Sequence, residues 1–137
     1  MDGANCVLIV FDEFRVRDDS LRKAIELAKR LDCCLSALVL PGGDAHEDPR
    51  AGACLDAIRE ASRAAGVYVE PELVDGDPSS ALLKYLATHP PFRAVVWGGD
   101  ELVVSTHPYG GGRHWFGSVR RQIRCPVVTA ASSRGGR

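Results

Sequence analysis

Residues 110–128 read GGGRHWFGSVRRQIRCPVV: three glycines, a Gly-Ser pair, a basic run with helical spacing, then Cys-Pro and two valines. Phe116, Val119 and Ile123 recur at helical intervals across Arg113–Arg124, and CPVVTAA has the apolar, β-branched character of a strand. A glycine-rich loop feeding a helix start is one way to cradle an anion, because backbone N–H groups point out of the first turn. The segment therefore asks two questions: what sheet the last strand joins, and whether the glycines still serve a ligand.

The rest of the chain answers the first. CVLIVF (Cys6–Phe11) is an unbroken apolar run, as expected of a strand covered on both faces. Leu21, Ala24, Ile25, Ala28 and Leu31 form a helical stripe, with Asp18 or Asp19 as N-cap. Cys34–Leu40 reads as a second strand. Asp48-Pro49 reads as the cap and first residue of a second helix carrying Leu55, Ile58, Ser62 and Ala65, and Gly66 closes it. Val67–Asp75 alternates apolar and polar around Pro71, which suits an edge strand. Asp77-Pro78 opens a third helix with Leu82, Tyr85 and Leu86. Arg93–Trp97 is a fourth strand and Cys125 onward a fifth. Strict alternation of strand and helix implies a parallel sheet with helices on both faces and right-handed crossovers. No repeat or second domain interrupts it, so residues 1–131 form one domain, and residues 132–137 (SSRGGR) a disordered tail.

Composition narrows the function. The chain has 137 residues, 45% hydrophobic and 26% charged, with a net charge of −1. That is ordinary for a domain with a core, and it lacks the basic excess of a DNA, RNA or membrane-surface binder. No apolar run approaches the roughly 20 residues of a membrane span. No basic segment precedes the first apolar run, so no signal peptide is expected. The five cysteines, Cys6, Cys33, Cys34, Cys54 and Cys125, include no C-x-x-C pair. They read as small buried residues in a reducing cytoplasm. His46, His89, His107 and His114 show no metal-binding spacing.

In a doubly wound sheet a ligand sits beyond the carboxyl ends of the strands where the winding reverses. FDEF, with Asp12, follows the first strand, and WGGDEL, with Gly98 and Gly99, follows the fourth. Side by side, these loops would face one crevice, with Gly117 and Ser118 near a helix start; Ser118 could equally cap that helix. Trp97 and Trp115 could stack on a base or simply pack.

VLIVFDE before an amphipathic helix, GDP before the third helix, AVVWGG on the fourth strand and GSVRRQIRCPVV at the end resemble the universal stress protein family nearly end to end. The resemblance implies a Rossmann-like five-stranded sheet in the order 3-2-1-4-5. It also implies a cytoplasmic, stress-related regulatory role and a homodimer joined through the last strand, Pro126–Ala130. A nucleotide crevice would then involve Asp12, Leu40, Gly98, Gly117, Ser118 and Val119.

Nucleotide-binding members carry G-x2-G-x9-G-[ST], and this chain departs from it. Gly98 fits the first glycine, but Glu101 stands at the second, and residues 102–116 put fifteen positions where nine are expected. Counting back from Gly117 reaches His107 and Val104 instead. A second glycine would let backbone N–H groups approach phosphate without a Cβ. A glutamate adds bulk and a like charge. At about 4 Å such a pair repels by about 4 kcal/mol at an effective dielectric of 20, against the roughly 8 kcal/mol of a micromolar complex. Gly110–Gly112 with Arg113 or His114 could rebuild a cradle across the Leu102–Phe116 insertion. The expectation is a regulatory binding domain without tight ATP binding; the alternative is a nucleotide-binding switch or slow ATPase, with ATP or another anion as ligand.

Three further readings are weaker. Asp12-Glu13 is similar to the acidic pair of a receiver domain, and Asp75 could supply its third acid. The only lysines, however, are Lys23, Lys29 and Lys84, far from the fifth strand. Ser118, His114 and Asp12 could make a hydrolytic triad, but no G-x-S-x-G turn exists. Arg113, Arg120, Arg121 and Arg124 fall on or beside the last helix, with Arg113, Arg120 and Arg124 roughly on one face; they read as a solvated face or a contact for an acidic partner or a nucleic-acid phosphate.

Overall fold

The computed structural model describes residues 6–99 and 115–130. Its strands are β1 (Cys6–Phe11), β2 (Cys34–Val39), β3 (Val69–Leu73), β4 (Ala94–Trp97) and β5 (Val127–Val128). Its helices are α1 (Asp18–Leu31), α2 (Ala51–Ala64), α3 (Pro78–Thr88) and α4 (Trp115–Arg120), with a 3-10 turn at Ala45–Glu47. The strands form one sheet in the order β3-β2-β1-β4-β5, and every pair is parallel. The expected Rossmann-like α/β architecture is therefore present. Residues 132–137, for which a disordered tail is expected, lie outside the described residues.

The sheet separates two apolar layers. Val7, Ile9 and Phe11 of β1 point to one side, where Leu21, Ala24, Ile25 and Ala28 of α1 and Cys54 and Ile58 of α2 cover them. Cys6, Leu8 and Val10 point to the other, against Leu82 and Tyr85 of α3 and Phe116 and Val119 of α4. β1 is buried along its whole length, which is why its sequence shows no polar alternation. β3 alternates buried and exposed residues at the sheet edge, with Pro71 placed where a missing N–H is tolerated.

The caps show where local sequence and tertiary packing part company. Asp77 caps α3 as expected: its carboxylate accepts from Ser80 N at 3.0 Å and from the Ser79 and Ser80 hydroxyls. Neither Asp18 nor Asp19 caps α1. The N-cap is Arg17, which has no side-chain bond to the helix, and both aspartates sit inside the first turn, where the helix dipole favours them. Asp48 also lies upstream of its expected place. α2 begins at Ala51, because Asp48 folds back to accept Arg50 N at 2.8 Å in a local turn. His89, just past the end of α3, places its Nδ1 2.8 Å from the Tyr85 carbonyl.

One structural bond contradicts the sequence reading. Cys6 and Cys34 are joined by a disulfide, while Cys33, Cys54 and Cys125 are free. The two bridged residues are register partners at the starts of β1 and β2, with Cα atoms 4.5 Å apart. Parallel pairing brings them together, and no spacing motif in the chain announces it.

Candidate functional site

β1 and β4 are neighbours, so the loops after them lie side by side. Val10 pairs with Trp97, and Gly98 N donates to the Val10 carbonyl at 2.7 Å. The approach is close enough to exclude a side chain. A Cβ at Gly98 would lie 2.6 Å from the Phe11 ring and 2.8 Å from the Val10 carbonyl oxygen. At Gly99 it would lie 2.6 Å from the Trp97 ring and 2.7 Å from Asp12 Oδ1. The protein's own rings and Asp12 thus take up the room these glycines leave. Their small size is explained without a phosphate.

The space above β4 is also filled from within. Trp97 is fully buried and stacks on Phe116, with centroids 4.1 Å apart and planes 18° apart. Trp115 meets Trp97 edge-on at 5.8 Å. The two tryptophans pack into the protein and each other. Leu40 belongs to the same layer and is 1% exposed, its N–H bonded to the Phe11 carbonyl. Trp115 and Phe116 bring the start of α4 over the carboxyl end of β4. Gly117 is half-buried, and Ser118 is exposed on α4. Its hydroxyl donates to the Trp115 carbonyl at 3.2 Å, so Ser118 lies within the helix instead of capping it. Val119 is a core residue, 2% exposed. Glu101, Arg113 and most of the Leu102–Phe116 insertion lie outside the described residues.

On the other side of Asp12 lies a cleft of about 380 Å³ between the ends of β1 and β2. Asp12, Glu13, Asp44 and Asp48 line it, and Arg50 is the one base among its described lining residues. That guanidinium is already committed. Its Nε and Nη2 donate to Asp48 at 2.9 and 2.8 Å, and it lies 5.2 Å over the Phe14 ring. The hydrogen bonds from Arg50 hold the Asp48 carboxyl at about 2. The lining thus sets four acidic side chains against one guanidinium. Next to the lining residue Ala45, Asp75 Oδ1 accepts from His46 N at 3.0 Å and lies 2.8 Å from His46 Nδ1. This contact with His46 lowers the Asp75 pKa. Gly76 N donates to the Gly43 carbonyl at 2.9 Å beside it.

Among the described residues no group of three or more His, Cys, Asp or Glu side chains is placed to hold a metal ion. No helix there is long and apolar enough to cross a membrane. A groove of about 550 Å³ lies at the opposite end of the sheet, between the end of α3 and the segment leading into β5. Leu83, Leu86, Phe92, Ile123 and Cys125 line it. Neither this groove nor the disulfide is foreseen in the sequence. Leu83 lies off the Leu82–Tyr85 stripe, and that spare apolar residue is the one local sign of a second wetted face.

No family model and no curated protein matches the chain. Solved structures do. A universal stress protein from Archaeoglobus fulgidus superposes with a TM-score of 0.64 at 20% identity, covering 90% of this chain and 96% of that one. The universal stress protein UspA from Lactobacillus plantarum gives 0.63 at 19%, covering 94% and 98%. A universal stress protein in complex with cAMP gives 0.60 at 22%, covering 93% and 97%. At these identities the likeness defines the fold: a Rossmann-like α/β domain of the shape those proteins share.

The Arg50–Asp48 clasp makes a pH prediction. The folded Asp48 carboxyl titrates at about 2, against an ordinary 3.8. A depressed pKa means that the clasp stabilises the cleft above pH 4 and is lost as the pH falls through about 2. Carboxyl titration by NMR should place Asp48 at about 2, and Arg50→Ala should return it toward 3.8. An unmoved Asp48 titration in that variant would contradict the assignment.

Proposed function

We propose that this chain is a universal-stress-protein-like regulatory and binding domain of the cytoplasm, dimeric and without tight ATP binding. The observation that carries the ligand half of this reading is the packed crevice. Phe11, Trp97 and Asp12 stand where side chains at Gly98 and Gly99 would be, and Leu40 is sealed into the core. The adjoining cleft presents four carboxylates and an arginine already chelated by one of them. A triphosphate entering there meets like charge and finds few donors in return. The broken glycine spacing, with Glu101 at the second position, argues in the same direction.

A second reading keeps nucleotide binding. Its support is that similar folds carry such ligands: one universal stress protein is in complex with cAMP, and one from Archaeoglobus fulgidus is in complex with dAMP. On this reading the chain is a nucleotide-dependent switch or slow ATPase, with Arg113 and the 110–112 glycines supplying the donors that the described wall lacks.

Isothermal titration calorimetry with ATP and magnesium separates the two. The first reading expects no saturable heat at micromolar concentrations. A dissociation constant in the micromolar range would replace it with the second. The dimer is tested independently. β5 ends the sheet order, so beyond Val127–Val128 no further strand follows among the described residues. Val127 and Val128 are both only half-buried. Light scattering should give twice the 14.8 kDa chain mass. A monomer at high micromolar concentration would rule the dimer out.

A further inference from the structure

The amino ends of the parallel strands gather most of the cysteines, at the edge of the sheet opposite the glycine loops. Cys6 opens β1, Cys34 opens β2 with Cys33 just before it, and Cys125 stands two residues ahead of β5. Cys6 and Cys34 are bonded, and both point into the α3–α4 side of the sheet, as the alternation of β1 and β2 requires.

Two features distinguish this bond from a structural staple. The first is redundancy. β1 and β2 are paired at six consecutive positions, from Cys6 with Cys34 to Phe11 with Val39, and apolar layers cover the sheet on both sides. The disulfide closes the end of a ladder that hydrogen bonds and packing already hold. It can therefore open without parting the strands. The second is unequal access. Cys6 is 8% exposed, whereas Cys34 is an exposed residue at the start of its strand. Cys34 is the more open of the two residues to a thiol from solution. Exposed disulfides are the exchangeable ones, and in a reducing compartment a disulfide that forms at all is usually transient.

The remaining thiols do not compete as internal attackers. Burial pushes the Cys33, Cys54 and Cys125 thiols up, so little of each is thiolate at neutral pH. Cys33 cannot readily bridge its immediate neighbour, and it packs against the α1–α2 side of the sheet, away from Cys6.

We propose that the Cys6–Cys34 pair is a reversible thiol–disulfide exchange site that takes an external aliphatic thiol at Cys34. The incoming thiolate attacks Cys34 Sγ and forms a mixed disulfide. The Cys6–Cys34 bond breaks, and its electron pair leaves on Cys6 Sγ, which then takes up a proton from solvent. With a dithiol, the second sulfur then attacks its partner in the mixed disulfide and frees Cys34. The protein gains two electrons and two protons, and the dithiol becomes a cyclic disulfide. The reverse sequence restores the bridge.

The full chain, purified without reductant, tests this by alkylation and peptide mapping in native buffer. Dithiothreitol should render Cys6 and Cys34 alkylatable while the circular dichroism of the sheet is retained, and oxidised dithiothreitol should close the bond again. Glutathione should leave an adduct on Cys34. That adduct should persist in Cys33→Ser, which separates Cys34 from its neighbour, and be lost in Cys34→Ser. Three results would overturn the proposal: a bond that opens only in denaturant, an adduct on Cys6 or Cys33, or Cys6 and Cys34 both alkylated in protein never exposed to reductant. The wild-type and Cys33→Ser arms decide the matter even if Cys34→Ser fails to fold.

Discussion

An aromatic ring lies where a side chain at position 98 would have to go. The Phe11 ring and the Val10 carbonyl close on Gly98 so tightly that β1 and β4 can sit in register only if that residue has no Cβ. Phe11 is fully buried, which contributes roughly 1.5–3 kcal/mol relative to an exposed side chain. From this contact the loops after the two central strands inherit their positions. Asp12 and the Trp97 ring are set beside Gly99, and Trp97 also stacks on Phe116.

The same contact bears on function. In a doubly wound sheet the carboxyl ends of the central strands are the natural ligand site, and a glycine there usually signals backbone approaching a ligand. Here the glycines let backbone approach the protein's own rings. The neighbouring cleft is lined by carboxylates and an engaged arginine, and on the proposed reading that setting disfavours an anion. The domain shape and the ligand chemistry therefore separate: the first follows the universal stress protein structures it superposes on, the second follows local side chains.

Much of the fold was legible because burial writes itself into periodicity. β1 could be bounded to the residue, since a strand covered on both faces has no polar positions to blur its ends. Asp77-Pro78 announced α3 because its cap is purely local chemistry. The caps of α1 and α2 lie one or two residues from the expected aspartates, because aspartates near a helix start can serve the dipole or a preceding turn as well as the cap. At the site, the loops carrying Asp12 and Gly98 lie side by side because β1 and β4 are neighbours, the strand order that the resemblance implies. The steric use of Gly98 and Gly99 was not legible, because it depends on where Phe11 and Trp97 point. The disulfide escaped for the same reason: Cys6 and Cys34 are far apart in sequence, and only the pairing register makes them neighbours.

The direct measurement is the stability of Gly98→Ala by denaturant unfolding with no nucleotide present. A Cβ wedged against a buried ring and a strand carbonyl should lower the unfolding free energy by about 1–3 kcal/mol, the usual cost of overpacking. Wild-type stability in that variant would contradict the account, for it would mean the position is small to admit something other than Phe11.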